Sequence, residues 1–471
     1  MSRRWLLTLT LALWLSLAHT AAPPLTRLAG IAEADEPHIV AGYRALFTCS
    51  AYFFAGRPLE DIKKVELVDV ESLGFPEPVI DEQRQLVRST TPDGEIEMIA
   101  AFRGSMGCTL LPPHWSAADV PRLPFVAYAA VPDMSKVAFP AGDRVRLRRN
   151  GIHRRYKRLR VVVERAFDNE SFNDNPGGVT AAVLIVSDGK LIVERYRTGF
   201  GVHTGYRTWS TAKSISAAII GIAGAKNILD LDGAAEIPEW SYPGDPRSEI
   251  SYNHLMWMSS GLYSGGNNTR AVYFGGQDAI SAITMAPLDT TPGTRWKYAN
   301  NDTLLLLRAL RYGLGSDLDY LRFPYDELLH RIGMYHTRME IDYDGNFIGS
   351  SQVYTTARDL TRFGILLAND GVWQGQRILP EGWVRFLTTP APTRPNEPEK
   401  HGYGAQFWLL DQYPGVPEGT FTTAGNKGQY VTVVPSQNLV IVRTGVNPNG
   451  VRWQQQDFTA AILAALNKNR P

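Results

Sequence analysis

Ser210-Thr211-Ala212-Lys213-Ser214-Ile215-Ser216-Ala217-Ala218-Ile219-Ile220-Gly221-Ile222-Ala223-Gly224-Ala225 is the stretch on which the reading of this chain turns. Ile215, Ala218, Ile219 and Ile222 recur at helical spacing, so the segment predicts a helix that opens near Ser210. Residues i and i+3 are neighbours on a helix, which lets Lys213 reach Ser210. Ser210 also falls at the positive end of the helix dipole, among backbone N–H groups that have no partner within the helix. A serine hydroxyl is a poor nucleophile until something takes its proton. A lysine can take it only where burial or neighbouring positive charge lowers its pKa. One Ser-x-x-Lys is expected about once by chance in a chain this long. A second, Ser187-Asp188-Gly189-Lys190, falls on a hairpin turn, where i and i+3 do not stack.

That hairpin is the nearest upstream element. Thr180 to Ser187 and Lys190 to Tyr196 are apolar strands around Asp188-Gly189, a strong two-residue turn signal. A second strand pair, Gln429 to Val434 and Asn438 to Gly445, lies near the C-terminus, followed by an amphipathic helix from Trp453 to Leu466. Between them the pattern is mostly helical, as in Thr303 to Tyr312 and in Thr356 to Ala368 with Thr356 as N-cap. Strands early, helices in the middle and strands late predict an α/β (α+β) fold. One antiparallel sheet is built from both ends of residues 151–471, with a helical subdomain inserted. Residues 22–150 read as a separate mixed α/β extension, with a hairpin from Leu86 to Phe102 around Asp93-Gly94 and a boundary near Phe139-Pro140-Ala141-Gly142.

The composition removes several classes. Lys+Arg is 48 and Asp+Glu is 47, a balance that argues against nucleic acid as the main partner. A basic run from Arg144 to Arg160, with Tyr156 its only aromatic, reads as a solvated linker and helix face. There is no Gly-x-Ser-x-Gly, His-Glu-x-x-His, Cys-x-x-Cys, Walker A or Gly-x-Gly-x-x-Gly, and the nine histidines are scattered singly. The sequence therefore offers no metal site and no cofactor. Residues 1–21 read as a cleavable leader: Arg3 and Arg4, an apolar run from Leu6 to Leu17, then small residues allowing cleavage after Ala18 or Ala21. No later stretch is apolar enough to span a membrane. The expected location is periplasmic or secreted, where Cys49 and Cys108 would meet oxidising conditions and could pair.

Two further motifs follow the Ser-x-x-Lys. Tyr298-Ala299-Asn300 is the only Tyr-x-Asn, and Thr423-Ala424-Gly425-Asn426-Lys427-Gly428 leads into the strand Gln429 to Val434. In that order, the three resemble the penicillin-recognising serine hydrolases, in the class C β-lactamase-like branch with DD-peptidases, esterases and 6-aminohexanoate-oligomer hydrolases. Ile250 to Leu262, Thr356 to Gly364, Val372 to Trp383 and Tyr403 to Trp408 are similar to further segments of that family, the last two most to its aminohexanoate-hydrolase and esterase members. The resemblance implies the β-lactamase and penicillin-binding-protein fold. It implies a small-molecule ester or amide as substrate and Ser210 as acylating nucleophile. Lys213 and Tyr298 would handle protons, and Asn300 would orient Tyr298 or the substrate. Thr423, Gly425 and Asn426 would line the substrate strand, with the backbone N–H groups of Ser210 and Asn426 as oxyanion hole.

One departure bears on the substrate. The family usually carries Lys-Thr-Gly where this chain has Thr423-Ala424-Gly425, so a cation and a hydroxyl suited to a substrate carboxylate are missing. An esterase or amidase fits better than a dedicated β-lactamase or carboxypeptidase. The alternative is a catalytically weak or inactive module of the same fold that binds a cell-wall or peptide ligand. Trp209, Trp296, Phe407 and Trp408 flank the motifs, as walls of an acyl pocket or as core.

Overall fold

The computed structural model describes residues 36–128, 131–147, 151–152, 156–265, 268–393, 402–410 and 412–467. The expected leader lies outside them, as do Arg148, Arg149, Arg154 and Arg155 of the basic run. The first helix, α1 (Pro37–Cys49), starts with proline at N1, where a missing N–H costs nothing, and is buried from Ile39 to Cys49. A helix buried all round needs cover on more than one side. One side rests on an antiparallel sheet of β1 (Val79–Asp81), β2 (Leu86–Thr90), β3 (Glu97–Phe102) and β4 (Cys108–Leu110). β2 and β3 form the hairpin expected around Asp93-Gly94, in register Leu86 with Ala101. The other side meets the helix Asn268–Phe274 so closely that a Cβ on Gly42 would lie 1.8 Å from the Phe274 carbonyl oxygen. Cys49 and Cys108 form a disulfide, the pairing expected of an exported chain.

The main sheet has seven antiparallel strands and joins the two ends of the remaining chain. β5 (Thr180–Ser187) and β6 (Lys190–Tyr196) form its early hairpin. The Ser-x-x-Lys segment is the helix α2 (Thr211–Ala225), and the Tyr-x-Asn motif runs into α3 (Asn300–Leu314). α4 (Ala357–Ala368) is capped as expected, the Thr356 hydroxyl accepting from the Asp359 N–H at 3.2 Å. The late strands are β7 (Gly402–Tyr403), β8 (Trp408–Leu409), β9 (Phe421–Gly425), β10 (Gln429–Val434) and β11 (Leu439–Gly445), followed by α5 (Gln455–Asn467). The order β7-β8-β9-β10-β11-β5-β6 puts β11 beside β5, so the sheet is built from both ends, as the strand pattern predicts.

Side-chain alternation decides what each face of this sheet carries. Ala182, Leu184 and Val186 of β5 join one core with α2, α3 and α4. Val183 and Ile185, pointing the other way, pack with Phe458, Ile462 and Leu463 of α5. Both faces are covered, so β5 is an unbroken apolar run, unlike the alternating pattern of a sheet with one wet face. The first core also takes in Tyr43 and Phe47 of α1 beside Ile215 and Ile219 of α2. The N-terminal segment and the main sheet therefore share one continuous apolar interior. Buried Glu340 adds a polar tie, its Oε1 accepting from the Ser50 hydroxyl at 2.7 Å and the Cys108 N–H at 3.0 Å.

Candidate active site

Ser210 is the half-buried residue at the mouth of an otherwise buried element. Thr208 and Trp209 before it and Thr211 to Ala223 after it are covered. α2 begins with tight i to i+3 bonds, among them Lys213 N–H to Ser210 O at 3.1 Å, so Lys213 lies one turn from the serine on the same face. Trp209 has φ +50°, a left-handed backbone that a bulky side chain adopts only under strain. Ser210 is thus presented on a constrained turn.

Lys213 is almost fully buried and its ammonium position is defined by two acceptors. Nζ donates to Asn300 Oδ1 at 2.5 Å and to the Ser350 carbonyl at 2.7 Å. A neutral amine has two N–H groups and one lone pair, so these two bonds use its donors and leave the lone pair. Burial disfavours the charged form and pulls the lysine from an ordinary 10.5 to about 7; the nearby Asp302 carboxylate opposes the shift. Tyr298 completes the group: its ring centroid is 5.2 Å from Lys213 Nζ, and a polar interaction with the Ser210 side chain draws the phenol's pKa down against the rise from burial. Burial holds the phenol well above its ordinary range, so at neutral pH it is protonated. Tyr298 stacks on Trp408 at 5.7 Å and meets Tyr403 edge-on at 6.0 Å, which fixes the ring from two sides.

The end of β9 is set against this group by a close approach. A Cβ on Gly425 would lie 2.1 Å from the Thr208 carbonyl oxygen, so only glycine lets the end of β9 pass beside the segment that carries Ser210. Asn426 follows immediately, with a buried side-chain Nδ2 that has no hydrogen-bond partner among the described residues. Thr423 does not join the site. Its hydroxyl faces inward, 3.0 Å from that of Thr211 and accepting from the Val431 N–H at 3.0 Å, and so fastens the first turn of α2 to the sheet. Lys427 also turns away, into an ion pair with Asp69 of the N-terminal segment.

A cleft of about 490 Å³ opens beside Tyr298 and runs along β9, lined by Trp408, Ala424, Gly425, Asn426, Lys427 and Tyr430 and by Asp174 and Arg452. Of the four flanking aromatics, Trp408 lines the cleft and Trp296 packs edge-on against it at 6.3 Å. Trp209 and Phe407 are core. Two contributors escaped the sequence reading. Asp302, fully buried on α3, accepts from the Ser260 hydroxyl at 2.7 Å, and burial raises its carboxyl to about 7. Its only signal was an acidic residue ahead of four leucines. The Ser350 carbonyl, a backbone group from a distant loop, left no signal. Among the described residues no cluster of His, Cys, Asp or Glu could hold a metal ion, and no helix is long and apolar enough to cross a membrane.

The chain is similar to several known proteins. The chain is 22% identical over 318 residues to the 6-aminohexanoate-dimer hydrolase of Paenarthrobacter ureafaciens, covering 61% of this chain and 78% of that one. A family VIII carboxylesterase superposes with TM-score 0.54 at 14% identity, over 68% of this chain and 98% of that one. A penicillin-binding protein homolog from Caulobacter crescentus gives TM-score 0.53 at 16% identity, over 68% of this chain and 98% of that one. These likenesses bear on the fold, which is mixed α/β with antiparallel sheets flanked by helices. The beta-lactamase family model matches residues 170–452, a span that contains the Ser-x-x-Lys, Tyr-x-Asn and Thr-Ala-Gly motifs, and the chain is accordingly a member of that family of serine hydrolases.

Proposed function

We propose that this chain is an exported esterase or amidase that acts through an acyl-enzyme on Ser210. The observation that carries the reading is a buried Lys213, its pKa drawn to about 7, one helical turn from Ser210 and with its Nζ 5.2 Å from the Tyr298 ring centroid. Ser210 Oγ attacks the substrate carbonyl carbon, and its proton passes to Lys213, directly or through the Tyr298 hydroxyl. The carbonyl oxygen becomes an oxyanion between the backbone N–H groups of Ser210 and Asn426, where one such donor is worth about 3–4 kcal/mol of the barrier. The tetrahedral intermediate collapses, and the leaving alcohol or amine departs with the proton held by the Tyr298–Lys213 pair. Water then repeats the sequence on the acyl-enzyme, releasing the acid and restoring Ser210.

The substrate reading rests on charge. Ala424 faces the cleft where a hydroxyl-bearing residue is usual, and the Lys427 ammonium is paired with Asp69. A neutral ester or amide suits this strand better than a carboxylate-bearing β-lactam. The names of the relatives, a hydrolase of 6-aminohexanoate dimers and a carboxylesterase, agree with either bond type. Export is supported by the leader pattern of residues 1–21 and by the disulfide. The test is labelling by a fluorophosphonate probe together with turnover of a p-nitrophenyl ester series. Both are expected in the wild type and lost in Ser210→Ala. Wild-type protein that neither labels nor turns over any ester would overturn the reading in favour of a binding module.

A further inference from the structure

The residues next to the two oxyanion donors share an unusual backbone. Trp209, before Ser210, has φ +50°, and Lys427, after Asn426, has φ +58°. Neither is glycine, and such conformations persist only where the surroundings over-determine them. Each is touched by the N-terminal segment, which the family match at 170–452 does not cover. The Phe47 ring of α1 packs on Trp209 at 5.5 Å between centroids. The Arg207 guanidinium lies over both rings, 4.4 Å from that of Phe47 and 5.0 Å from that of Trp209. On the other half of the site, the Asp69 carboxylate pairs with the Lys427 ammonium and accepts from the Asn449 N–H at 2.8 Å. Both contacts converge behind the nucleophile. Phe47, Arg207, Trp209 and Lys427 wall a single void of about 30 Å³, together with Glu66 and Gln429.

We infer that the N-terminal segment is part of the catalytic mount: Phe47 and Asp69 are positioning residues that hold Ser210 and Asn426 at the spacing a tetrahedral oxyanion requires. The inference rests on the acyl-enzyme reading and gives residues 37–110 a purpose within it. The segment is itself anchored, by the Cys49–Cys108 disulfide at the end of α1 and by the bonds from Ser50 and Cys108 to Glu340. Arg443 holds the carbonyl of Gly428 from the sheet at 2.8 Å. Asp69 supplies the constraint that the sheet does not, on the Lys427 side chain. Neither Phe47 nor Asp69 is among the residues that line the cleft, and each acts through a neighbour: Phe47 through Trp209, and Asp69 through Lys427, which does line it.

The experiment compares Asp69→Asn and Phe47→Ala with the wild type in the full, disulfide-bonded protein, using a p-nitrophenyl ester. Sites are counted by fluorophosphonate titration, so that rates refer to folded, reactive enzyme. Losing one oxyanion donor lowers kcat about 10²–10³-fold, and displacing one should lower kcat per site at least ~10-fold with KM within about twofold. The inhibition constant of an arylboronic acid, whose adduct on Ser210 is tetrahedral, should rise by the factor by which kcat/KM falls. Phe47→Leu, which keeps most of the bulk, and Asp69→Glu, which keeps the charge, should recover much of the rate. They carry the same measurement if the harsher variants do not fold. Rates per site and boronate affinities within about twofold of wild type in all four variants would overturn the inference while leaving the acyl-enzyme reading intact. A wild type that neither labels nor turns over ester would overturn both.

Discussion

The protonation of Lys213 is the quantity from which most of the chemistry follows, and it can be perturbed directly. An ordinary lysine at 10.5 would be neutral in about one molecule in three thousand at pH 7. At about 7 it is neutral in half of them, so burial enlarges the pool of free base on the order of a thousandfold. The acid limb of kcat/KM should therefore fall near pH 7. Activity at pH 6 should be roughly one fifth of that at pH 7, and pH 8 should gain a further factor of about two. Lys213→Ala should lower kcat/KM by about 10²–10⁴-fold and abolish the limb, because the other group raised to about 7, Asp302, is engaged by the Ser260 hydroxyl rather than by Ser210. The assay is the pH–rate profile of wild type and variant on one ester whose own hydrolysis is subtracted. Stability supplies an independent reading with a defined sign. The unfolded lysine binds a proton up to about 10.5 and the folded one only up to about 7, so the Lys213 contribution to stability rises with pH through that window. The difference in Tm between wild type and Lys213→Ala should show this slope. A variant that keeps both the rate and the limb would refute the reasoning and leave Tyr298 as the base.

Four other outcomes are expected. Tyr298→Phe keeps the stacking on Trp408 but removes the hydroxyl that interacts with Ser210, so kcat should fall about 10²-fold or more with little change in KM, measured by steady-state kinetics. Asp302→Asn removes the one charge that favours protonated Lys213, and the acid limb should move to lower pH; a limb that stays or moves up would exclude this coupling. Cys49→Ser with Cys108→Ser opens a loop of sequence separation 59 and should cost about 4 kcal/mol in denaturant unfolding, by the chain-entropy model. Thr423→Val deletes the buried hydroxyl that binds Thr211 and Val431 N–H; it should cost about 1–3 kcal/mol of stability, while kcat per titrated site stays near wild type.

The fold was legible because the sheet carries its pattern locally. The Asp188-Gly189 turn and the apolar runs on either side define β5 and β6 without reference to the rest of the chain. Ser210, Lys213 and Tyr298 were legible because α2 spaces the first two and because the motif order resembles a known family. What remained hidden was set by tertiary approach. Thr423 and Ala424 are adjacent on one strand, and the pleat sends one into the core and the other to the cleft; only the register with β10 says which. Lys427 finds Asp69 across 358 residues, a pairing that no local pattern encodes. Glu340 and Ser350 reach their partners through loops whose course depends on how the N-terminal segment packs.

The same displacement of positive charge explains two properties that look separate. Where the family usually has a strand lysine, this chain has Thr423, turned inward, and its nearest lysine is engaged by Asp69. A strand cation beside the nucleophile would help to keep Lys213 neutral. Here that help is absent, and desolvation alone draws the lysine down, against the pull of Asp302. In the proposed mechanism the burial of Lys213 is therefore a requirement of the chemistry as well as of the fold: a more open α2 would leave an ammonium that cannot act as a base. The cleft lining that results includes Tyr298, Trp408 and Ala424, and also Arg452, whose backbone N–H is held by Asp174 at 2.7 Å. A substrate carboxylate placed against Thr423 and Ala424 would give up its hydration with no cation from those two positions in return, whereas a neutral acyl chain gives up little. The charge class of the substrate and the protonation state of the base thus have a common origin in how the strand β9 and the turn after it arrange their side chains.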